Sequence, residues 1–160
     1  MFVDVWNDPM GLMKFFENKD VQKAGANLFA QRDPVVWAPA VGAYALDLAA
    51  PAGRNDRYLG ILKGTTKNRA AAIKAFDELT LSGVNEARKL GLMSHRTYFR
   101  FSPPGAPESN EMISVQTWFD AEGMQKFYSD DSANSAFDAL FTSEPEATVW
   151  ARPAGNWVEW

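Results

Sequence analysis

Apolar and polar residues alternate in two distant segments, FVDVW near the N-terminus and MISVQTW at residues 112–118. Alternation with a period of two predicts β-strands. Each segment is followed by an aspartate at a helix N-cap position, Asp8 or Asp120, and then by apolar residues at helical spacing, such as Phe15 and Phe127. A further strand follows in each copy, DPVVWAPAVGAYALD or EATVWARPAGNWVEW. The pattern therefore predicts a strand, helix and strand unit that occurs twice.

The two copies are related by a shift of 112 positions along the chain. The shift superimposes Val3 on Val115, Trp6 on Trp118, Asp8 on Asp120, Gly11 on Gly123, Lys14 on Lys126, and Phe15 on Phe127. Such internal similarity indicates that one supersecondary unit is used twice.

The residues between the copies predict a strand at 56–65, a helix at 68–91 and a strand at 94–101, before the Pro- and Gly-rich loop SPPGAPESN. Residues 56–160 thus have the order β-α-β-β-α-β, which is the ferredoxin-like pattern of the α+β class. We predict a complete ferredoxin-like domain at 56–160, a linker at 48–55 and a partial half-unit at 1–47.

Composition and charge exclude several kinds of partner and site. The 160 residues carry a net charge of −4, which argues against a nucleic-acid partner, because such binding depends on Lys and Arg. Cysteine is absent, which excludes disulfides and thiolate metal sites. Neither a signal-peptide pattern nor an apolar run long enough to cross a bilayer occurs. We therefore expect a cytoplasmic protein without a membrane partner.

The alternating strands also predict which side chains share a face, because one side of such a sheet meets the helices and the other an opposing sheet. In the second copy we assign Ile113, Val115 and Thr117 to the helix side. The opposite side then holds Ser114, Gln116 and Trp118, with Phe2, Asp4 and Trp6 from the first copy. Polar groups inside a closed interior indicate a small-molecule pocket, unless they bond to one another.

The strand at 94–101 supplies further candidates. Its more apolar set, His95, Thr97, Phe99 and Phe101, is assigned to the helix side. Arg96, Tyr98 and Arg100 then face the opposing sheet, where they could hold a carboxylate or phenolate, or are the solvated charges of an edge strand. His95 is the only histidine and is a candidate general base, or else a packed side chain.

The segments SVQTWFDAEGMQKFYSD and VDVWNDPMGLMKFFENKD resemble the dimeric α/β-barrel superfamily, and within it the antibiotic biosynthesis monooxygenase-like group. In that superfamily two ferredoxin-like units, from two chains or in tandem, pack sheet against sheet as a barrel. The resemblance implies a homodimer or an intramolecular tandem barrel. For the half-unit at 1–47 we favour a longer tandem protein in which Met1 is an internal start; the alternative is a partner chain that supplies the rest.

The resemblance also implies a function. We expect a protein that binds a small hydrophobic or aromatic molecule and acts as a cofactor-independent monooxygenase of an aromatic or polyketide-like substrate. The alternative is a non-catalytic ligand-binding or stress-associated barrel. The predicted site has catalytic His95 and Tyr98, substrate-binding Asp4, Trp6, Arg96, Gln116 and Trp118, no cofactor and no metal.

Overall fold

The computed structural model describes residues 6–28, 35–48, 58–129 and 131–151. Contacts divide the chain into two units, Met1–Val35 and Val36–Trp160, and each is described by itself. Residues 36–47 group with the second unit because they pair with its sheet. The predicted division into 1–47, 48–55 and 56–160 stays a prediction. No helix within the described residues has the length and apolar character needed to cross a bilayer.

The first unit contains two helices, α1 (Pro9–Glu17) and α2 (Lys19–Leu28). Asp8 caps α1 as predicted, and its carboxylate accepts hydrogen bonds from the Met10 and Gly11 backbone nitrogens at 2.9 and 3.0 Å. Trp6 lies before this cap and contacts the Phe15 ring, with 5.2 Å between ring centroids. The other residues of the predicted first strand, including Asp4, lie outside the described residues.

The second unit is an antiparallel sheet with helices. Its strands are β1 (Trp37–Pro39), β2 (Leu46–Asp47), β3 (Tyr58–Thr65), β4 (Leu92–Arg100), β5 (Glu111–Trp118) and β6 (Glu146–Ala151), and its helices are α3 (Arg69–Lys89), α4 (Ala121–Tyr128) and α5 (Asp131–Asp138). The sheet order is β1-β4-β5-β3-β6, and β2 also pairs with β4. From β3 to β6 the chain follows the predicted β-α-β-β-α-β order, so the α+β class is confirmed.

The predicted strand after residue 33 is present as two short strands, β1 and β2, along one edge of β4. A turn separates them, and Gly42 adopts a φ of 87° there, which suits a residue without a Cβ. Ala40 enters the core just before this turn, and its backbone nitrogen donates to the Thr97 carbonyl oxygen at 3.0 Å. The segment therefore continues the sheet while sending one small side chain inward.

Helices α3, α4 and α5 pack on one face of the sheet of the second unit, which we call the helix face; the other is the open face. Two buried clusters lie between the helices and the helix face. The first contains Phe76, Phe99, Met112 and Phe141, and the second contains Val84, Ala87, Leu92, Trp118 and Met124. Burial of one such large apolar side chain stabilises the fold by roughly 1.5–3 kcal/mol. These contacts hold α3 and α4 against β4 and β5.

Glycines in β3 give room to two side chains packed on the helix face, Phe141 after α5 and Met124 of α4. A Cβ atom at Gly64 would lie 2.6 Å from the Phe141 ring, and one at Gly60 would lie 2.7 Å from the Met124 Cε atom. Both distances are shorter than van der Waals contact, so any other residue would push these side chains away from the sheet.

The predicted face of β5 is wrong. Ser114, Gln116 and Trp118 lie on the helix face, and Ile113, Val115 and Thr117 lie on the open face. Met112 and Trp118 are both 0% exposed, so two large side chains, rather than the smaller β-branched set, decide which face is buried. The predicted faces of β4 are confirmed for His95, Thr97 and Phe99 on the helix face and Arg96 on the open face, while Phe101 lies beyond β4 and is exposed. Packing of the open face against a second sheet stays a prediction.

Candidate functional site

A cavity of about 390 Å³ lies between the helix face and helices α3, α4 and α5. This volume falls within the range of small-molecule sites. Its walls are mostly apolar and include Leu62, Phe76, Leu79, Val84, Met124, Phe127 and Phe137. Its polar lining includes Thr80, His95, Ser114, Gln116 and Tyr128. Ser114 and Gln116, which were predicted to line a space between two sheets, therefore lie beneath the helices instead.

The sheet register brings the inner polar groups together. His95 of β4 pairs directly with Gln116 of β5, and Thr97 pairs with Ser114. Paired residues of adjacent strands point to the same face, so His95, Ser114 and Gln116 converge on the cavity. The imidazole ring of His95 also stacks on the Phe76 ring, with 5.6 Å between centroids and 20° between planes. Strand pairing and stacking together fix the position of the imidazole.

The orientation of the Gln116 amide follows from its partners. The Trp118 indole nitrogen donates to Gln116 Oε1 at 3.3 Å, and the Tyr128 hydroxyl contacts the same oxygen. An indole N–H can only donate, so the atom facing it must be the amide oxygen. The amide nitrogen therefore faces His95 and lies 3.1 Å from Nδ1. Gln116 is the donor in this contact and His95 Nδ1 is the acceptor.

This contact sets the tautomer of His95, because a neutral imidazole that accepts at Nδ1 carries its proton on Nε2. Burial lowers the pKa of His95 from 6.5 to about 4, although the nearby Asp77 carboxylate acts in the opposite direction. His95 is therefore neutral near pH 7. Its Nε2 atom is buried and has no hydrogen-bond partner in the described part of the chain.

Three hydroxyl groups share this property within the described residues. Two of them, Thr80 Oγ1 on α3 and Ser114 Oγ on β5, belong to residues that line the cavity, and the third belongs to Thr97 on β4. A buried polar group without a partner costs about 1–3 kcal/mol. A bound molecule with oxygen acceptors can recover this free energy. The inner end of the cavity is therefore suited to a carbonyl or phenol oxygen.

Tyr128 lies where the cavity opens, with 38% of its surface exposed and its hydroxyl directed inward to Gln116. Burial of the hydroxyl raises the pKa of Tyr128 well above its usual value, while its contact with Trp118 acts in the opposite direction. Tyr128 therefore stays protonated near neutral pH. The free Nε2 of His95 and the hydroxyl of Tyr128 are hydrogen-bond donors. The geometry therefore does not support the predicted role of His95 as a general base.

The other predicted site residues lie elsewhere. Arg96 is on the open face and forms an ion pair with Asp47 at 3.0 Å, and half-buried Tyr98 shares that face. Neither lines the cavity, so the structure does not bring Tyr98 together with His95. Trp6 belongs to the first unit, and Asp4 lies outside the described residues. Gln116 lines the cavity, and Trp118 packs beside it.

Sequence reasoning missed Thr80 and Tyr128 as site residues. Tyr128 follows Met124 by one helical turn, and this spacing placed both on the apolar side of the helix as core residues. Thr80 shares a helix side with Phe76 and Val84, at intervals of four residues. A hydroxyl within an apolar helical stripe is the sequence signal by which both residues could have been identified, because a buried hydroxyl needs a hydrogen-bond partner. Within the described residues, no group of three His, Cys, Asp or Glu could hold a metal ion.

No protein-family model and no curated protein matches the chain. The crystal structure of an anthrone oxidase-like protein aligns with a TM-score of 0.60 and 16% identity, over 94% of this chain and 71% of that one. A candidate monooxygenase from Fusobacterium nucleatum aligns with a TM-score of 0.56 and 11% identity, over 90% of this chain. A candidate monooxygenase from Lactobacillus acidophilus has a TM-score of 0.55 and 10% identity, over 91% of this chain.

The chain spans 64% and 65% of these two candidate monooxygenases, less than two thirds of each. Identities this low show a shared fold and leave the reaction open. The chain has the fold of an anthrone oxidase-like protein and of candidate monooxygenases.

Proposed function

We propose that the protein is a cofactor-independent monooxygenase of an aromatic or polyketide-like ketone, bound in the cavity beside His95. One observation carries the proposal: His95, 0% exposed, is among the residues that line a mostly apolar cavity, and its Nε2 has no hydrogen-bond partner within the described residues. The likeness to an anthrone oxidase-like protein adds support and suggests anthrones as test substrates.

The residues suggest how the reaction would proceed. The substrate ketone oxygen accepts a hydrogen bond from His95 Nε2, and this bond strengthens as a carbon conjugated with the carbonyl, the ring methylene in an anthrone, loses a proton and the oxygen becomes an enolate. The proton passes to solvent, because the free Nε2 of His95 already carries a proton, its Nδ1 accepts from Gln116, and the Tyr128 hydroxyl stays protonated near neutral pH. The chain's own contribution is therefore to stabilise negative charge in a mostly apolar cavity.

Dioxygen is the oxidant that balances the electrons of the reaction. The enolate carbon transfers electrons to dioxygen and forms a C–O bond, giving a hydroperoxide after protonation. Loss of water breaks the O–O bond and leaves a second carbonyl group. For an anthrone, the methylene group becomes a carbonyl and loses four electrons, and dioxygen gains four as it becomes the carbonyl oxygen and one water molecule.

Oxygen uptake with a panel of anthrones tests this function. We expect one dioxygen consumed per quinone formed, at a rate proportional to protein concentration and above the uncatalysed oxidation measured without protein. No rate above that background with any anthrone would contradict the proposal. If anthrones still bound in that case, the alternative of a non-catalytic ligand-binding or stress-associated barrel would be favoured.

We include in the proposal a barrel in which the open face packs against a second sheet, either as a homodimer or within a tandem chain. Apolar side chains of β5 on that face, Ile113 and Val115, support it, because a solvated face is usually polar. Light scattering measures whether two copies associate; a single-chain mass at all concentrations would exclude the homodimer.

A further inference from the structure

The outer part of the cavity carries negative charge. Asp138 on α5 and Glu144 in the segment before β6 both line the cavity, and both are exposed. No Lys or Arg is among the described residues that line it. The two arginines predicted to hold a carboxylate, Arg96 and Arg100, are instead paired with Asp47 and Glu111 on the open face. Among the described residues, a ligand therefore meets carboxylates at the outer part of the cavity and no Lys or Arg along its lining.

The inner end of the cavity offers neutral hydrogen-bond donors. His95 Nε2–H is fixed by the contact of Nδ1 with Gln116, and the hydroxyls of Thr80 and Ser114 stand unpartnered among the described residues. These groups can bind a carbonyl oxygen well. They cannot neutralise a carboxylate, whose transfer from water into an apolar cavity is costly without a cationic partner.

From these two ends we infer that the cavity selects an uncharged aromatic ketone and discriminates against the same ring system bearing a carboxylate. The inference deepens the proposed function and rests on the same site. Repulsion at the outer part acts together with the lack of a cationic side chain in the described lining of the inner end. The apolar walls between them, including Phe76 and Phe127, are suited to the rings of the ligand.

A matched pair of ligands tests the inference by binding alone. Anthraquinone-2-carboxamide and anthraquinone-2-carboxylate differ little in shape and differ in charge. We expect calorimetric titration of the full chain to give at least about tenfold tighter binding of the carboxamide. The ratio is expected to fall as salt is raised, because the repelling carboxylates are exposed to solvent.

Charge removal identifies the groups responsible. In the double variant Asp138→Asn/Glu144→Gln we expect the ratio to fall to about threefold or less, with carboxamide affinity unchanged. The control Glu78→Gln/Glu86→Gln removes two exposed carboxylates from α3 that do not line the cavity. We expect the control to retain the wild-type ratio.

Equal or tighter binding of the carboxylate would overturn the inference, as would an equal loss of discrimination in both double variants. An unchanged ratio in Asp138→Asn/Glu144→Gln, or no binding of either ligand, would overturn it too. Discrimination without anthrone turnover would leave the inference standing and remove the proposed oxygenase function. Anthrone turnover without discrimination between the two ligands would overturn the inference and leave the proposed oxygenase function standing.

Discussion

The variant His95→Phe is expected to oxidise anthrone with kcat/KM about 100-fold below that of the wild type, since loss of one donor to a developing oxyanion typically costs this much. Phenylalanine keeps a ring that can stack on Phe76 and lacks the Nε2–H group. The loss should appear mainly in kcat, because the hydrogen bond strengthens as the enolate forms. Initial rates of oxygen uptake measure the effect.

Two further variants separate this role from packing. His95→Gln keeps an N–H donor near the same place, so we expect it to recover part of the lost rate. Thr117→Val changes an open-face residue next to Gln116 in sequence and should react like the wild type. If His95→Phe folds and stays within about threefold of the wild-type rate, His95 is not a donor to the transition state.

Replacement of Gly123 by alanine is expected to lower the free energy of unfolding by about 3 kcal/mol or more, the upper part of the range for overpacking. A Cβ atom at Gly123 would lie 1.8 Å from the Leu90 carbonyl oxygen and 2.8 Å from its carbon. Both are backbone atoms, so the clash cannot be relieved by a side-chain rotation. Helix α4 would have to move away from the end of α3, and Met124 and Tyr128 would move with it.

Gly83→Ala is the matched control. Gly83 lies inside α3, and a Cβ atom there would contact the Phe127 ring at an ordinary 3.5 Å. Alanine favours a helix interior over glycine, so this variant should gain about 0.5–1 kcal/mol. Urea unfolding followed by circular dichroism measures both changes. A Gly123→Ala protein as stable as the wild type would mean that α4 does not pack on Leu90 as described.

The elements of the second unit were predictable because their signals are local. Alternation marked β5, the helical period marked α3, and Asp120 was placed correctly as the cap of α4, accepting from the Gly123 nitrogen at 3.1 Å. Their order along the chain then gave the β-α-β-β-α-β pattern. Among the described elements of this unit, the segment containing β1 and β2 differs from the single strand that its sequence predicts, because a turn at Gly42 divides it into two.

The location of the site was not predictable in the same way. Polar Ser114 and Gln116 indicated a face away from the helices, because alternation shows which residues share a face and not which face is covered. The fully buried Trp118 decides that question, and it takes Gln116 with it to the helix face. Gln116 is tolerated there because Trp118, Tyr128 and His95 satisfy its amide. Such a network is formed by tertiary contacts and has no signature in sequence spacing.

We expect His95 to be a neutral imidazole with its proton on Nε2, held in that form by Gln116. Long-range ¹H–¹⁵N correlation spectra test it directly, because the chain has a single histidine and the signals need no assignment. We predict a protonated Nε2 and an unprotonated Nδ1 at neutral pH, with titration only near pH 4. In the variant Gln116→Glu, the new carboxylate should favour a proton on His95 Nδ1 and raise the pKa of His95. Titration of the wild type near pH 6.5, or a neutral ring protonated on Nδ1, would contradict the account.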